Sequence, residues 1–154
     1  MIPATLTADL SVDPDFFDLL TRSYRELLRV PLVEQGQGPR WLYGEAPFAV
    51  LAHNTEPDPK FIYANKTAQR CFEYSWDEFV QTRSRFSAEA LERPERDRLL
   101  ARVAQYGFVT DYKGVRISKT GRRFWIEEGT LWQLVDSQGV LRGQAAVFRS
   151  WRDI

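Results

Sequence analysis

Few side chains in this sequence have the chemistry to bind or transform a small molecule. There is one histidine, His53, and one cysteine, Cys71. That count excludes an internal disulfide and a metal site built from several Cys and His ligands. The strongest pattern is a pair of opposite charges set in two apolar, alternating segments. Over residues 122–135 the even positions Phe124, Ile126, Glu128, Thr130, Trp132 and Leu134 form the more coherent apolar row, so alternation turns Glu128 inward. Over 109–118 the same reading turns Tyr112, Gly114, Arg116 and Ser118 inward. A buried charge is expensive unless it is paired or hydrogen-bonded. Two readings follow. Arg116 and Glu128 neutralise one another as a structural pair, or they hold a polar ligand, with Arg116 as a bidentate clamp on its carboxylate or phosphate.

Tyr112, Trp132 and Phe124 would give such a pocket aromatic walls, and Ile126 an aliphatic one; the alternative is that they only fill a core. His53 reads as a buried or strand-edge residue, with general-acid potential if polar groups surround it. Cys71 reads as a buried helix-face residue, with Arg70 the only hint of an activated thiol. Asn65 closes an apolar segment and is expected to bond the following turn or cap a helix. Gln144 sits between Gly143 and Ala145, and alternation leaves its face open.

These residues need a scaffold, and the composition supplies one. The chain has 154 residues, 44% of them hydrophobic and 14% aromatic, which is enough for a packed core. The 21 basic and 21 acidic residues cancel, so no excess charge points to nucleic acid or to an anionic membrane. The run Glu92-Arg93-Pro94-Glu95-Arg96-Asp97-Arg98 mixes signs and reads as a solvated helix face with local ion pairs. A single thiol, no signal-like opening and no apolar run near the length of a membrane span lead to the expectation of a cytoplasmic protein.

The first element is a helix opened by Asp13-Pro14, with Phe16, Phe17, Leu20, Tyr24, Leu27 and Leu28 on one stripe. A Gly- and Gln-bearing linker over 33–40 follows, so residues 1–40 read as an appendage that packs on the main domain or on a partner, and 41–154 as the domain itself. Strands are expected over 48–53 and 61–65, then two short helices, the second opened by the capping box Ser75-Trp76-Asp77-Glu78. A longer helix over 94–106 turns Leu99, Leu100, Val103 and Tyr106 inward and stops at Gly107. Three antiparallel strands over 109–118, 122–135 and 140–148 complete the chain. The class is α+β, in the order ββ-ααα-βββ, after an N-terminal helix.

That order resembles a PAS domain, and Phe61-Ile62-Tyr63-Ala64-Asn65 is similar to the strand end that precedes the first PAS helix. The details resemble the MEKHLA family of PAS-like domains. The matching blocks are Pro47-Phe48-Ala49-Val50-Leu51-Ala52-His53, Phe72-Glu73-Tyr74-Ser75-Trp76, Ser84-Arg85-Phe86-Ser87-Ala88-Glu89, the segment 111–118, Gly121-Arg122-Arg123-Phe124 and 143–148, closed by Trp151. They span Trp41 to Trp151 and leave the N-terminal helix outside.

The resemblance implies a five-stranded antiparallel sheet with helices on one face, enclosing a small pocket, and no enzymatic activity. It places Ser84, Arg85 and Ser87 where PAS domains often admit ligand, beside their alternative as a helix cap. Thr120-Gly121-Arg122-Arg123-Phe124-Trp125 is similar to the hairpin of the flavin-binding light sensors. Those sensors carry a reactive Cys in a segment that here reads Ser84-Arg85-Phe86-Ser87-Ala88, which speaks against a photoadduct and against flavin. Haem-binding PAS domains usually take their ligand from the long middle helix, which has no His here, and this speaks against haem.

The expected function is a non-catalytic sensory or regulatory domain that binds a small organic ligand through Arg116, Glu128, Tyr112, Trp132, Ile126, Ser84, Arg85 and Asn65 and signals through protein contacts. A homodimer through the N-terminal helix or the sheet is the expected assembly. The alternative is an interaction module with a filled core. A third reading is a small enzyme using Glu128, His53 or Tyr112 as acid or base.

Overall fold

A computed structural model describes residues 9–154. Asp13 caps helix α1 (Pro14–Leu28): its carboxylate accepts from the Phe16 N–H at 2.8 Å, Pro14 takes the first turn, and Arg29 ends the helix in the left-handed region. A short helix α2 (Pro39–Gly44) follows where the composition suggested the end of a linker and the onset of strand. Pro39 again opens it, which the linker reading overlooked.

Strands β1 (Ala49–His53) and β2 (Phe61–Ala64) form an antiparallel pair. Asn65 caps α3 (Lys66–Phe72), and Ser75 with Glu78 forms the expected capping box of α4 (Trp76–Phe79). Two short 3-10 turns, Ser84–Ser87 and Ala90–Glu92, lead into α5 (Arg93–Tyr106), which Gly107 terminates. Strands β3 (Phe108–Ile117), β4 (Arg123–Val135) and β5 (Leu141–Phe148) then build the rest of the sheet. The order is β2-β1-β5-β4-β3, all antiparallel. A sixth strand, β6 (Ser150–Asp153), pairs with the first half of β4, so the two halves of β4 have different neighbours on that side.

The two sheet faces carry different loads. On one, Ala68, Cys71 and Phe72 of α3 pack with Phe61, Phe79, Phe124 and Phe148, while Leu99 and Val103 of α5 pack with Tyr112 and Leu131. On the other lies α1. Its stripe Phe16, Leu19, Leu20 and Tyr24 is buried with Trp132, Leu134 and Val147. The Trp132 indole N–H donates to the Leu20 carbonyl at 3.2 Å, and the Tyr24 ring meets Trp132 edge-on at 4.9 Å. Ser23 Oγ donates to the Val135 carbonyl at 3.1 Å and accepts its N–H at 3.0 Å. The stripe that could have faced a partner therefore covers this domain's own sheet.

The register contains two irregularities that decide where side chains point. Gly114 pairs with Ile126 and Tyr112 with Gly129, so β4 carries one residue more than β3 between these pairs. That extra residue is a bulge at Glu128, which adopts φ 53°. On β3 the reverse occurs: Val109 pairs with Leu131, and Asp111, at φ 56°, is the surplus residue. Beyond each bulge the alternation changes parity.

Candidate functional site

The parity change corrects the site expected from alternation. Before the bulge the even residues Phe124 and Ile126 face the helices, as read from the sequence. After it the odd residues Gly129 and Leu131 do, and Trp132 and Leu134 turn to the α1 side. Glu128 itself, the bulged residue, is exposed. It is neither inside the domain nor paired with Arg116, whose strand partner is Phe124. Asn65 is also away from the cavity. Its Oδ1 accepts from the Val50 and Ala68 N–H groups, and its Nδ2 donates to the Leu42 and Phe48 carbonyls, so its hydrogen-bonding capacity is spent on joining α2, β1 and α3. Arg85 lies outside, 3.1 Å from the Asp58 carboxylate and stacked on Phe86. Tyr106, expected inward, is exposed at the end of α5.

Arg116, Tyr112, Ile126 and Ser84 do come together. They line a cavity of about 60 Å3 between the sheet, the Ser84–Ser87 turn and α5. Its remaining walls are largely apolar, with Leu51, Phe61, Leu131 and Phe148 among them. Four further polar residues line it: His53, Ser87, Gln144 and Arg96, with Ser87 Oγ donating to the Ser84 carbonyl at 2.7 Å.

Arg96 is the residue that the charge pattern concealed. It lies in the mixed-sign run but on the inward stripe, three residues before Leu99 and seven before Val103, a spacing that could have found it. It is 5% exposed and Arg116 7% exposed. Arg96 donates to Ser84 Oγ. Arg116 donates to the Val115 carbonyl at 2.8 Å and lies over the Tyr112 ring. Among the described residues neither guanidinium has a buried carboxylate partner. The nearest acid to Arg96 is Asp97 at 3.4 Å, with a side chain 72% exposed. Burial, reinforced by the Arg116 charge, pulls the Arg96 pKa down to about 10. The cavity wall thus holds two desolvated cations.

His53 and Gln144 face one another across the β1–β5 pairing. His53 Nδ1 lies 2.9 Å from the Asn54 carbonyl, so Nδ1 carries the proton and Nε2 is an acceptor. Gln144 Nε2 donates to the Leu100 carbonyl at 3.4 Å, which leaves Oε1 as its free acceptor. His53 Nε2 and Gln144 Oε1 are both buried and have no hydrogen-bond partner among the described residues. Parts of the His53 residue reach the surface, but burial still lowers its pKa to about 4. Tyr112 closes one side by donating to Glu95 of α5 at 2.6 Å, and burial with this carboxylate raises its pKa to about 12.

The profile of the MEKHLA domain matches residues 14–153. The chain belongs to the MEKHLA domain family. The match begins at Pro14 and so includes α1, which the sequence blocks alone left outside. Solved structures show the fold of this MEKHLA domain to be PAS-like. It is similar to the PAS domain of a protein from Colwellia psychrerythraea, with 16% identity, TM-score 0.61, and 73% of this chain and 90% of that one covered. It is similar to a PAS domain from a two-component sensor histidine kinase at 23% identity and TM-score 0.57, covering 75% and 92%. An RNA-binding light-oxygen-voltage receptor is similar over 79% of this chain but 35% of its own length, at 21% identity and TM-score 0.59. The comparison with curated proteins gave no match.

A flavin photoadduct does not fit the residues of this MEKHLA domain. The Ser84–Ser87 turn has no thiol, and Cys71 is buried among the phenylalanines, its thiol pushed up to about 12 by burial. A cavity of about 60 Å3 is well below the roughly 300 Å3 at which pockets for drug-sized ligands begin. Among the described residues no group of three His, Cys, Asp or Glu could hold a metal, and no helix is long and apolar enough to cross a membrane.

Proposed function

We propose that this MEKHLA domain is a non-catalytic sensory or regulatory module that takes a small organic molecule into the cavity between sheet and α5. Occupancy would be passed on through protein–protein contacts. The observation that carries this reading is the pair of buried guanidiniums, Arg96 and Arg116, in a largely apolar wall with no buried carboxylate among the described residues. Buried charges of one sign lower stability by several kcal/mol unless an opposite charge compensates them, so a bound anion would repay that cost. PAS-like architecture supports a signalling role, and of the three acid or base candidates of the enzyme reading, Glu128 lies outside the cavity while His53 and Tyr112 line it. We further propose a cytoplasmic setting, in line with the single thiol, and no nucleic-acid partner, in line with the balanced charge.

Native mass spectrometry of the full chain tests the ligand. A retained small molecule is the expected result, and the bare chain mass overturns the reading. The small cavity favours one competitor, an interaction module with a filled core. That reading predicts the bare mass in dimeric form. Since α1 is buried on its own sheet, such a dimer would use another surface.

A further inference from the structure

The cavity carries two kinds of unmet demand, and together they specify a ligand. The first is for negative charge. Arg96 and Arg116 line one cavity, each no more than 7% exposed, and among the described residues the only carboxylate within ion-pair distance of either is the solvent-facing Asp97. The second is for hydrogen-bond donors. His53 Nε2 and Gln144 Oε1 are acceptors, because Nδ1 and Nε2 of the same side chains are committed to the Asn54 and Leu100 carbonyls. Buried acceptors without donors each cost about 1–3 kcal/mol.

Size narrows the class. A buried water needs ~10–15 Å3 of such volume, so a cavity of about 60 Å3 suits a ligand of about four to six non-hydrogen atoms. Charge narrows it further. An ammonium donor would sit against two guanidiniums, so the donor group should be neutral. We propose that the cavity takes a short hydroxycarboxylate, its carboxylate held by Arg96 and Arg116 and its hydroxyl donating to His53 Nε2 or Gln144 Oε1. This rests on the reading of the cavity as a ligand site. Ordered water can fill the second acceptor.

Three probes of matched size separate the demands. Lactate has both groups, propionate lacks the hydroxyl, and propylene glycol lacks the charge. Calorimetric titration of the full chain should show lactate binding, propionate at least about tenfold weaker, and propylene glycol weaker still. In Gln144→Met together with His53→Phe, the preference for lactate over propionate should vanish while propionate binding remains. Arg116→Gln should weaken both acids and Arg116→Lys should restore part of the loss, which a purely structural arginine would not do. If propylene glycol binds as well as lactate, or the acids fail while native mass spectrometry shows a retained molecule of another class, the hydroxycarboxylate is wrong and the ligand site stands. If no probe binds and the mass is that of the bare chain, both fall.

Discussion

The ring of Tyr112 lies over Gly114, its hydroxyl 2.0 Å from where a Cβ at position 114 would sit. The two residues are on the same face of β3, and the missing side chain lets the ring lie down and reach Glu95 on α5 at 2.6 Å. Gly114→Ala should displace the far end of this ring and break that bond. A hydrogen bond to a charged group contributes roughly 1.5–3 kcal/mol, and urea unfolding should show a loss in this range. In a Tyr112→Val background the same substitution should cost much less. An unchanged cost in that background would mean that Gly114 is needed for another reason.

Glu128 occupies the left-handed region at φ 53°, a conformation that costs a non-glycine residue about 1–2 kcal/mol. Glu128→Gly should therefore raise stability, by about 1 kcal/mol after the entropy lost by glycine. Chemical denaturation checks this. A marked loss instead would return Glu128 to the role of a buried partner for Arg116.

His53 has a folded pKa of about 4 against an ordinary value of 6.5. Between these values the unfolded chain binds a proton that the folded chain refuses, so this residue lowers stability as pH falls through the window. Of the charged groups near it, Arg96 from α5 opposes its protonation, and Arg116 lines the same cavity. From about pH 7 to pH 5 its contribution should fall by roughly 2 kcal/mol. Denaturation curves of the wild type and His53→Gln should converge as pH drops, with the variant flatter. Parallel curves would refute a neutral, buried imidazole.

Phe16 is fully buried under the outer sheet face, 5.3 Å from the Tyr63 ring. Phe16→Ala should cost about 3–5 kcal/mol. Trp132→Phe, which removes the donor to the Leu20 carbonyl, should cost about 1–3 kcal/mol through the lost bond and the unsatisfied carbonyl. Losses below about 1 kcal/mol at both positions would make α1 a loosely docked appendage.

Much of the fold was legible because local chemistry dictates it. Asp13-Pro14, Asn65, the Ser75–Glu78 box and Gly107 mark helix ends through single hydrogen bonds or a single backbone angle. The three long strands are legible by alternation, and Arg116, Tyr112 and Ile126 lie along one cavity wall with Ser84. What stayed hidden was non-local. β6 is short and mostly exposed, so it shows no apolar row until it meets β4. Arg96 read as solvent-facing because its neighbours are charged, although its helical spacing with Leu99 and Val103 placed it inside.

The sequence by itself determined the element order, the family blocks and the presence of an arginine on the inner face of the third strand. Only the tertiary structure decided what that arginine meets. Side chains on a strand alternate with a period of two, so one surplus residue reverses every facing beyond it. The bulge at Glu128 depends on pairing with β3, not on the sequence of β4 alone. It puts the expected counter-charge into solvent, sends Trp132 to α1, and leaves Arg116 beside Arg96, so the pair of opposite charges read from the sequence is in the folded protein a pair of like ones.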